Sequence, residues 1–172
     1  MKGATTLLPI VSERLVVRVY DPDDLERIHG VLYGDPVVRR WTGGPSTLEE
    51  TRAIVARYID THERHGYAYW AVTELASGTL VGEAGLKPLD DAGPEVELGY
   101  AFRQASWGRG YATEISRAIL KRAFGELELE RVYATARPEN AGSRNVLAKL
   151  GFQTVPRPPG GHSGLMYHAL VR

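Results

Sequence analysis

No cysteine occurs among the 172 residues. That removes thiol catalysis, disulfides and thiolate metal sites together. Net charge is missing too, since 21 lysines and arginines balance 21 aspartates and glutamates. A chain so balanced does not read as a dedicated nucleic-acid binder. No apolar run approaches the roughly 20 residues that a membrane-spanning helix needs. The opening MKGATTLLPIVSERLVVR has a short apolar run broken by Pro9, with charges soon after, and reads as a strand lead-in instead of a signal peptide. A cytoplasmic location without a membrane partner is therefore expected. His29, His62, His65, His162 and His168 lack ligand-like spacing, so no metal is expected either. There is no Gly-x-Ser-x-Gly elbow for a serine nucleophile.

What is present centres on Glu95 to Gly125, EVELGYAFRQASWGRGYATEISRAILKRAFG. Val96, Leu98, Tyr100 and Phe102 recur with period two, leaving Glu95, Glu97, Gly99 and Ala101 on the opposite face of a strand. After WGRGYA the period changes. Ala112, Ile115, Ile119, Ala123 and Phe124 share one side of a helix of about 15 residues. Glycines between a strand and a helix let the backbone approach a ligand, and the first helical turn offers N–H groups without intrahelical partners. Residues 107 to 113 thus read as a phosphate or pyrophosphate site, or more simply as a turn and a helix start.

Around this segment the chain alternates short elements. Glu13 to Tyr20 reads as the first strand, and Asp21-Pro22 as the cap and first position of a helix lined by Leu25, Ile28 and Leu32. Thr47 and Glu50 match a capping box for a helix running to about Arg64, with Leu48, Ile54, Val55, Tyr58 and Ile59 as its buried stripe. Tyr69 to Thr73 and Thr79 to Leu86 form a hairpin pattern. KPLDDAGP is a turn. Arg131 to Ala136, Phe152 to Val155 and Leu165 to Leu170 are strands, and Ala141 to Leu150 is a helix ahead of the RPPGG loop. This order gives one mixed α/β domain over residues 1–172.

ELGYAFRQASWGRGYATEI followed by RPENAGSRNVLAKLGF closely resembles the GCN5-related N-acetyltransferases (GNAT), in the branch that includes the ribosomal-protein alanine acetyltransferases. The resemblance covers most of the chain, and it implies an acyl-CoA N-acyltransferase fold. That fold has a mixed, mostly antiparallel sheet of about seven strands, flanked by helices and splayed at a central strand pair. It also implies acetyl-CoA as co-substrate, with an amine acceptor that is a peptide N-terminus or a small molecule. A homodimer fits the branch, which contains monomers and dimers. The family's glycine turn falls here on Trp107-Gly108-Arg109-Gly110-Tyr111-Ala112. By resemblance, amides from Arg109 to Thr113 hold the pyrophosphate, Phe102 and Arg103 lie at the splay, and Asn140 and Ser143 face the other side of the cofactor.

Direct transfer needs a group to take the ammonium's proton, a donor for the oxyanion and an acid for the departing thiolate. Glu97 ranks first as base because a charge inside a strand needs a partner or a wet cleft, with Glu83 second. The alternative for Glu97 is a carboxylate paired with an arginine. Ser143 is the candidate acid, or a first-turn residue of a helix that Asn140 caps; Tyr133 is a weaker acid or a core residue. Arg109 reaches a phosphate or solvent, and Trp107 packs at the mouth. Trp41, Tyr67, Tyr69 and Trp70 wall the acceptor pocket or belong to the core. Acetyl transfer to a primary amine in a ternary complex is the expected function. The alternative is a non-catalytic acyl-CoA-binding or regulatory module, against which Glu97, Asn140 and Ser143 argue.

Overall fold

Alternating apolar residues need two covered faces, and the sheet supplies them. In the computed structural model, which describes residues 7–89, 94–158 and 161–172, eight strands form one sheet in the order β1-β2-β3-β4-β5-β6-β8-β7. These are β1 (Ile10–Val11), β2 (Leu15–Arg18), β3 (Tyr69–Glu74), β4 (Leu80–Pro88), β5 (Val96–Phe102), β6 (Arg131–Ala136), β7 (Gln153–Val155) and β8 (Met166–Val171). All neighbours are antiparallel except β5 and β6. The two-residue β1 is the strand beyond the seven expected; it is too short to carry a periodic signal. Parts of the KPLDDAGP turn and of the RPPGG loop, with residues 1–6, lie outside the described residues.

Helices α3 (Tyr111–Gly125) and α4 (Ala141–Leu150) cover one face. There Ile115, Ile119, Ala123 and Leu147 bury against Leu15, Val17, Val72, Leu86, Leu98 and Val132. On the other face, α1 (Asp24–Ile28), a π-helical turn over His29–Tyr33 and α2 (Leu48–His65) form a smaller core around Tyr20, Ile28, Leu32, Tyr33 and Val55. The two periods in Glu95 to Gly125 therefore match one strand and the helix that packs back over it.

Some local signals resolve differently. α1 begins at Asp24 with Asp23 at its cap, so Asp21 is not the capping residue. Asp24 lies in the first turn and is buried; its carboxylate takes two bonds from Arg18 (2.6 and 2.8 Å) and one from the Asp21 N–H (2.7 Å). A buried carboxylate needs that many donors, and the Asp21 carboxylate in turn accepts from the Asp23 N–H at 3.0 Å. Leu48, expected in the buried stripe of α2, is exposed at the helix start. His62, near the end of α2, accepts a 3.3 Å bond from the Trp70 indole N–H.

The capping box of α2 is formed. Thr47 accepts from the Glu50 N–H at 3.2 Å while the Glu50 carboxylate accepts from the Thr47 N–H at 2.7 Å. Replacing Thr47 with alanine should cost about 1 kcal/mol, which for a chain of this size lowers Tm by roughly 2–4 °C. Thr47→Ser should retain most of the stability, and thermal denaturation of the two variants checks both.

Candidate active site

β4 and β5 stay in register from Gly82↔Phe102 to Pro88↔Val96, whereas β5 and β6 pair only at Glu97↔Tyr133. Past that pair the parallel strands separate. The edge of β5 from Gly99 to Phe102 then faces a wedge, with backbone groups open to an incoming chain. On the α3/α4 side the wedge is bridged by side chains: the Tyr100 hydroxyl donates to the Ser143 carbonyl (3.1 Å) and lies 3.1 Å from Ser143 Oγ. Burial pushes the Tyr100 phenol up to about 12, with the Ser143 contact acting in the opposite direction. It stays protonated at neutral pH and remains a donor.

Beyond β5 the turn is tightly held. Trp107 Nε1 donates to the Phe102 carbonyl at 2.7 Å, Arg103 Nε donates to Ser106 Oγ, and the Phe102 ring packs against Tyr111. Gly108 and Gly110 take left-handed conformations (φ 73° and 78°) that side chains disfavour, and a Cβ on Gly108 would meet nothing within 4 Å. Among the described residues, the amides from Gly108 to Thr113 donate to no acceptor, and the first helical bond beyond them runs from the Glu114 N–H to the Gly110 carbonyl. Six free amides at the start of a 15-residue helix, beside open space, suit a pyrophosphate. Arg14 fixes the turn from outside, donating to the Arg109 carbonyl and pairing with Glu114. The Arg109 side chain is exposed, but its guanidinium is held on the protein side of the turn. Its guanidinium pairs with Glu74 at 2.8 Å and lies over the Tyr111 ring. The Tyr111 hydroxyl foremost, with Arg109, holds Glu74 below the usual carboxylate range.

Across the wedge, Asn140 caps α4 by accepting from the Ser143 N–H at 3.1 Å. The cap and the Tyr100 contact coexist, so Ser143 occupies the first turn and also faces the wedge.

The Acetyltransferase (GNAT) domain family matches residues 14–153. The chain belongs to the GNAT acetyltransferase family. It is an acyl-CoA-dependent N-acetyltransferase, and acetyl-CoA is the family's acyl donor. YkkB of Bacillus subtilis (strain 168) is 29% identical over 144 residues, covering 83% of this chain and 84% of YkkB. A GNAT-family acetyltransferase from Bacillus anthracis is similar in structure, with a TM-score of 0.81 and 26% identity, over 95% of this chain and 98% of that one. Mycobacterium smegmatis RimJ, solved in complex with CoA-disulfide, shares the fold at a TM-score of 0.71 and 21% identity, over 91% of this chain and 81% of RimJ.

In this GNAT chain the two acidic candidates lie on the α1/α2 face. Glu97 is 8% exposed, and both of its oxygens are engaged: Lys87 Nζ lies 3.2 Å from one, and Thr135 Oγ1 donates to the other at 2.5 Å. Its cationic neighbour is thus a lysine, not the arginine the sequence left open. Glu83 is 4% exposed and receives the Tyr20 and Tyr33 hydroxyls on one oxygen, each at 2.7 Å. Burial pushes the Glu83 carboxyl up against the two phenolic donors. Tyr133 is buried on β6, where Arg131 donates to its hydroxyl. Ser143 bonds to Tyr100, and no contact joins it to Tyr133 among the described residues.

The aromatic candidates divide. Trp41 lines a cleft of about 440 Å³ at the C-terminal end of β6, with Thr42, Thr135, Arg137, Asn140 and His162. Tyr69 stands over Gly99, where a Cβ would fall 1.9 Å from its hydroxyl, so the strand needs glycine there. Trp70 is buried in the larger core, and Tyr67 stacks on His65 and packs at that core's edge. Tyr100 is the residue that reading the sequence missed as a site group. It carried only a face assignment, because its partner lies 43 residues away.

Placing aspartate at Gly108 adds charge where the free amides converge. The Gly108→Asp variant should weaken coenzyme A binding by at least about tenfold through like-charge repulsion. Gly108→Asn introduces the same backbone strain without charge and should weaken binding much less. Calorimetric titration of both separates the two effects.

Proposed function

We propose that the protein transfers acetyl from acetyl-CoA to a primary amine by direct attack within a ternary complex. The acceptor is a protein or peptide N-terminus, or a small-molecule amine. The observation that carries this reading is the wedge. It has a glycine turn with free amides at one end, proton donors on one side and a buried carboxylate on the other. Pyrophosphate on the amides of Gly108 to Thr113 puts the pantetheine arm along the open edge of β5, where its amides find main-chain partners. Phe102, Arg103 and Trp107 shape the turn, and Arg109 serves by holding Tyr111 and the turn in place through Glu74.

The amine comes from the α1/α2 face and gives up a proton, for which Glu97 is the acceptor, directly or through water. Thr135 and Lys87 hold that carboxylate in place. The nitrogen lone pair forms the new C–N bond, and the carbonyl oxygen takes up negative charge. Collapse of the tetrahedral intermediate breaks the C–S bond, and the thiolate is protonated from the opposite face. Ser143 is the donor, and Tyr100 supports its hydroxyl. Glu83, which accepts both phenols on one oxygen, is the second candidate base. The absence of cysteine leaves no thiol in the chain to carry the acyl group.

Four substitutions test the assignments by thiol release. Ser143→Ala should lower kcat by roughly 10²-fold with little change in acetyl-CoA affinity. Adding Tyr100→Phe should cost much less than the product of the single losses, because the two hydroxyls act as one unit. Full multiplicativity, or a loss confined to KM for acetyl-CoA, sinks the paired-donor role. Glu97→Gln should lower kcat by about 10²-fold or more at neutral pH. A larger loss from Glu83→Gln than from Glu97→Gln would transfer the base role to Glu83.

A further inference from the structure

Charge balance over the whole chain hides a local imbalance at the acceptor cleft. Arg14 pairs with Glu114, Arg18 with Asp24, Arg64 with Asp60, Arg109 with Glu74 and Arg122 with Glu126, while others, such as Arg57 and Arg117, have no acid within reach among the described residues. The guanidiniums around the cleft belong to the unmatched group. Among the described residues, Arg40, Arg137 and Arg144 have no carboxylate within ion-pair distance. Arg137 Nε donates to the Trp41 carbonyl (3.0 Å), Arg144 Nη1 donates to the Pro138 carbonyl (2.8 Å), and Arg40 lies over the Trp41 and Trp107 rings. The nearby acids form no ion pair with them among the described residues. Asp35 accepts from Gln104 and from the N–H groups of Val37 and Val38, while Glu139 is exposed and pairs with neither Arg137 nor Arg144.

Arg137 is the member that lines the cleft. A guanidinium presents five donors in a planar fork, and here only Nε is used, so the Nη pair remains for a bidentate acceptor. Its Nη1 lies near the turn at Gly164, where a Cβ would stand 3.8 Å away. Arg137 thereby spans the gap between the Trp41 segment and the 162–165 segment. The floor of the same cleft includes Thr135, whose hydroxyl holds Glu97, so the cleft leads to the group assigned to take the amine's proton. None of its lining residues is acidic.

We propose that this cleft selects amines that carry a carboxylate near the reacting nitrogen, with Arg137 as the residue that reads it. The inference rests on the transferase reading above and adds the chemical class of acceptor. That class has two sources, a free amino acid or the amino terminus of a peptide with acidic residues just behind it. A polycationic amine meets the unpaired guanidiniums and is disfavoured.

Thiol release from acetyl-CoA should be compared for two alanine-led tetrapeptides, one with glutamate at positions two and three and one with lysine there. Free alanine against alaninamide forms the second pair. The acidic peptide, or free alanine, should exceed its counterpart in kcat/KM by about tenfold or more, and the advantage should shrink as salt is raised. Whichever pair shows the larger ratio identifies the source. Arg137→Gln should bring the ratio to within about threefold of unity, Arg137→Glu should invert it, and Arg137→Lys should keep part of it. Equal or better turnover of the lysine peptide and alaninamide overturns the inference. So does an Arg137→Gln loss that is the same for all four acceptors, since that marks a purely structural bond to Trp41. Should the variants fail to fold, the wild-type ratios and their salt dependence decide alone. No turnover of any amine, with acetyl-CoA still bound, overturns the transferase reading itself and the inference with it.

Discussion

The single register Glu97↔Tyr133 between β5 and β6 is the constraint from which the rest follows. A sheet normally closes its edges by pairing, and an unpaired buried backbone group costs about 1–3 kcal/mol. Here the two strands begin as neighbours and part, leaving the β5 edge without a partner strand. The protein limits that cost at chosen points. The Phe102 carbonyl takes the Trp107 indole, and the Tyr100 hydroxyl reaches across to α4. What remains open is the stretch that a ligand's amides complete. The glycine turn alone would bind any anion; a split sheet leading to it supports an extended ligand whose anionic end is the pyrophosphate.

The sheet also divides the proton chemistry. Tyr100 and Ser143 lie on the α3/α4 side, and Glu97 and Glu83 on the α1/α2 side, because alternate residues of one strand face opposite ways. One reaction that removes a proton from nitrogen and delivers one to sulfur needs a base and an acid that do not neutralise each other. In the proposed mechanism Glu97 and Tyr100, the support of Ser143, stand on two faces of β5 with the wedge as the common space. Tyr100 is kept protonated by burial, while the engaged Glu97 sits beside a lysine.

What the sequence made legible was whatever depends on local periodicity and turn chemistry. The switch from period two in Val96–Phe102 to helical period after Gly110, the Thr47 capping box, the strand Arg131–Ala136 and the helix Ala141–Leu150 all fall where those rules put them. The misreadings share one cause. α1 begins two residues later than the Asp21-Pro22 signal, Leu48 lies at a helix end that the core does not reach, and β1 is defined only by its neighbour. The partners of Glu97 were hidden for the same reason. Lys87 comes from β4 and Thr135 from β6, so they meet it only once three strands are in register. A charged residue inside a strand announces that partners exist; it does not name them.

Acceptor choice is the property least tied to periodic elements, and charge explains why it can still be read from the folded chain. The proposed cofactor side consists of backbone amides, whose positions follow from the turn and helix. The proposed acceptor side consists of segments around Trp41 and His162 and the end of β6, joined by the Arg137 bond to the Trp41 carbonyl. Such segments have no period, yet their side chains must still meet the electrostatic requirement that buried or clustered charges find counter-ions. Guanidiniums left on backbone carbonyls near a cleft mouth add positive charge there. On the proposed reading, the molecule that answers that charge is the acceptor, and the matching group on it is a carboxylate.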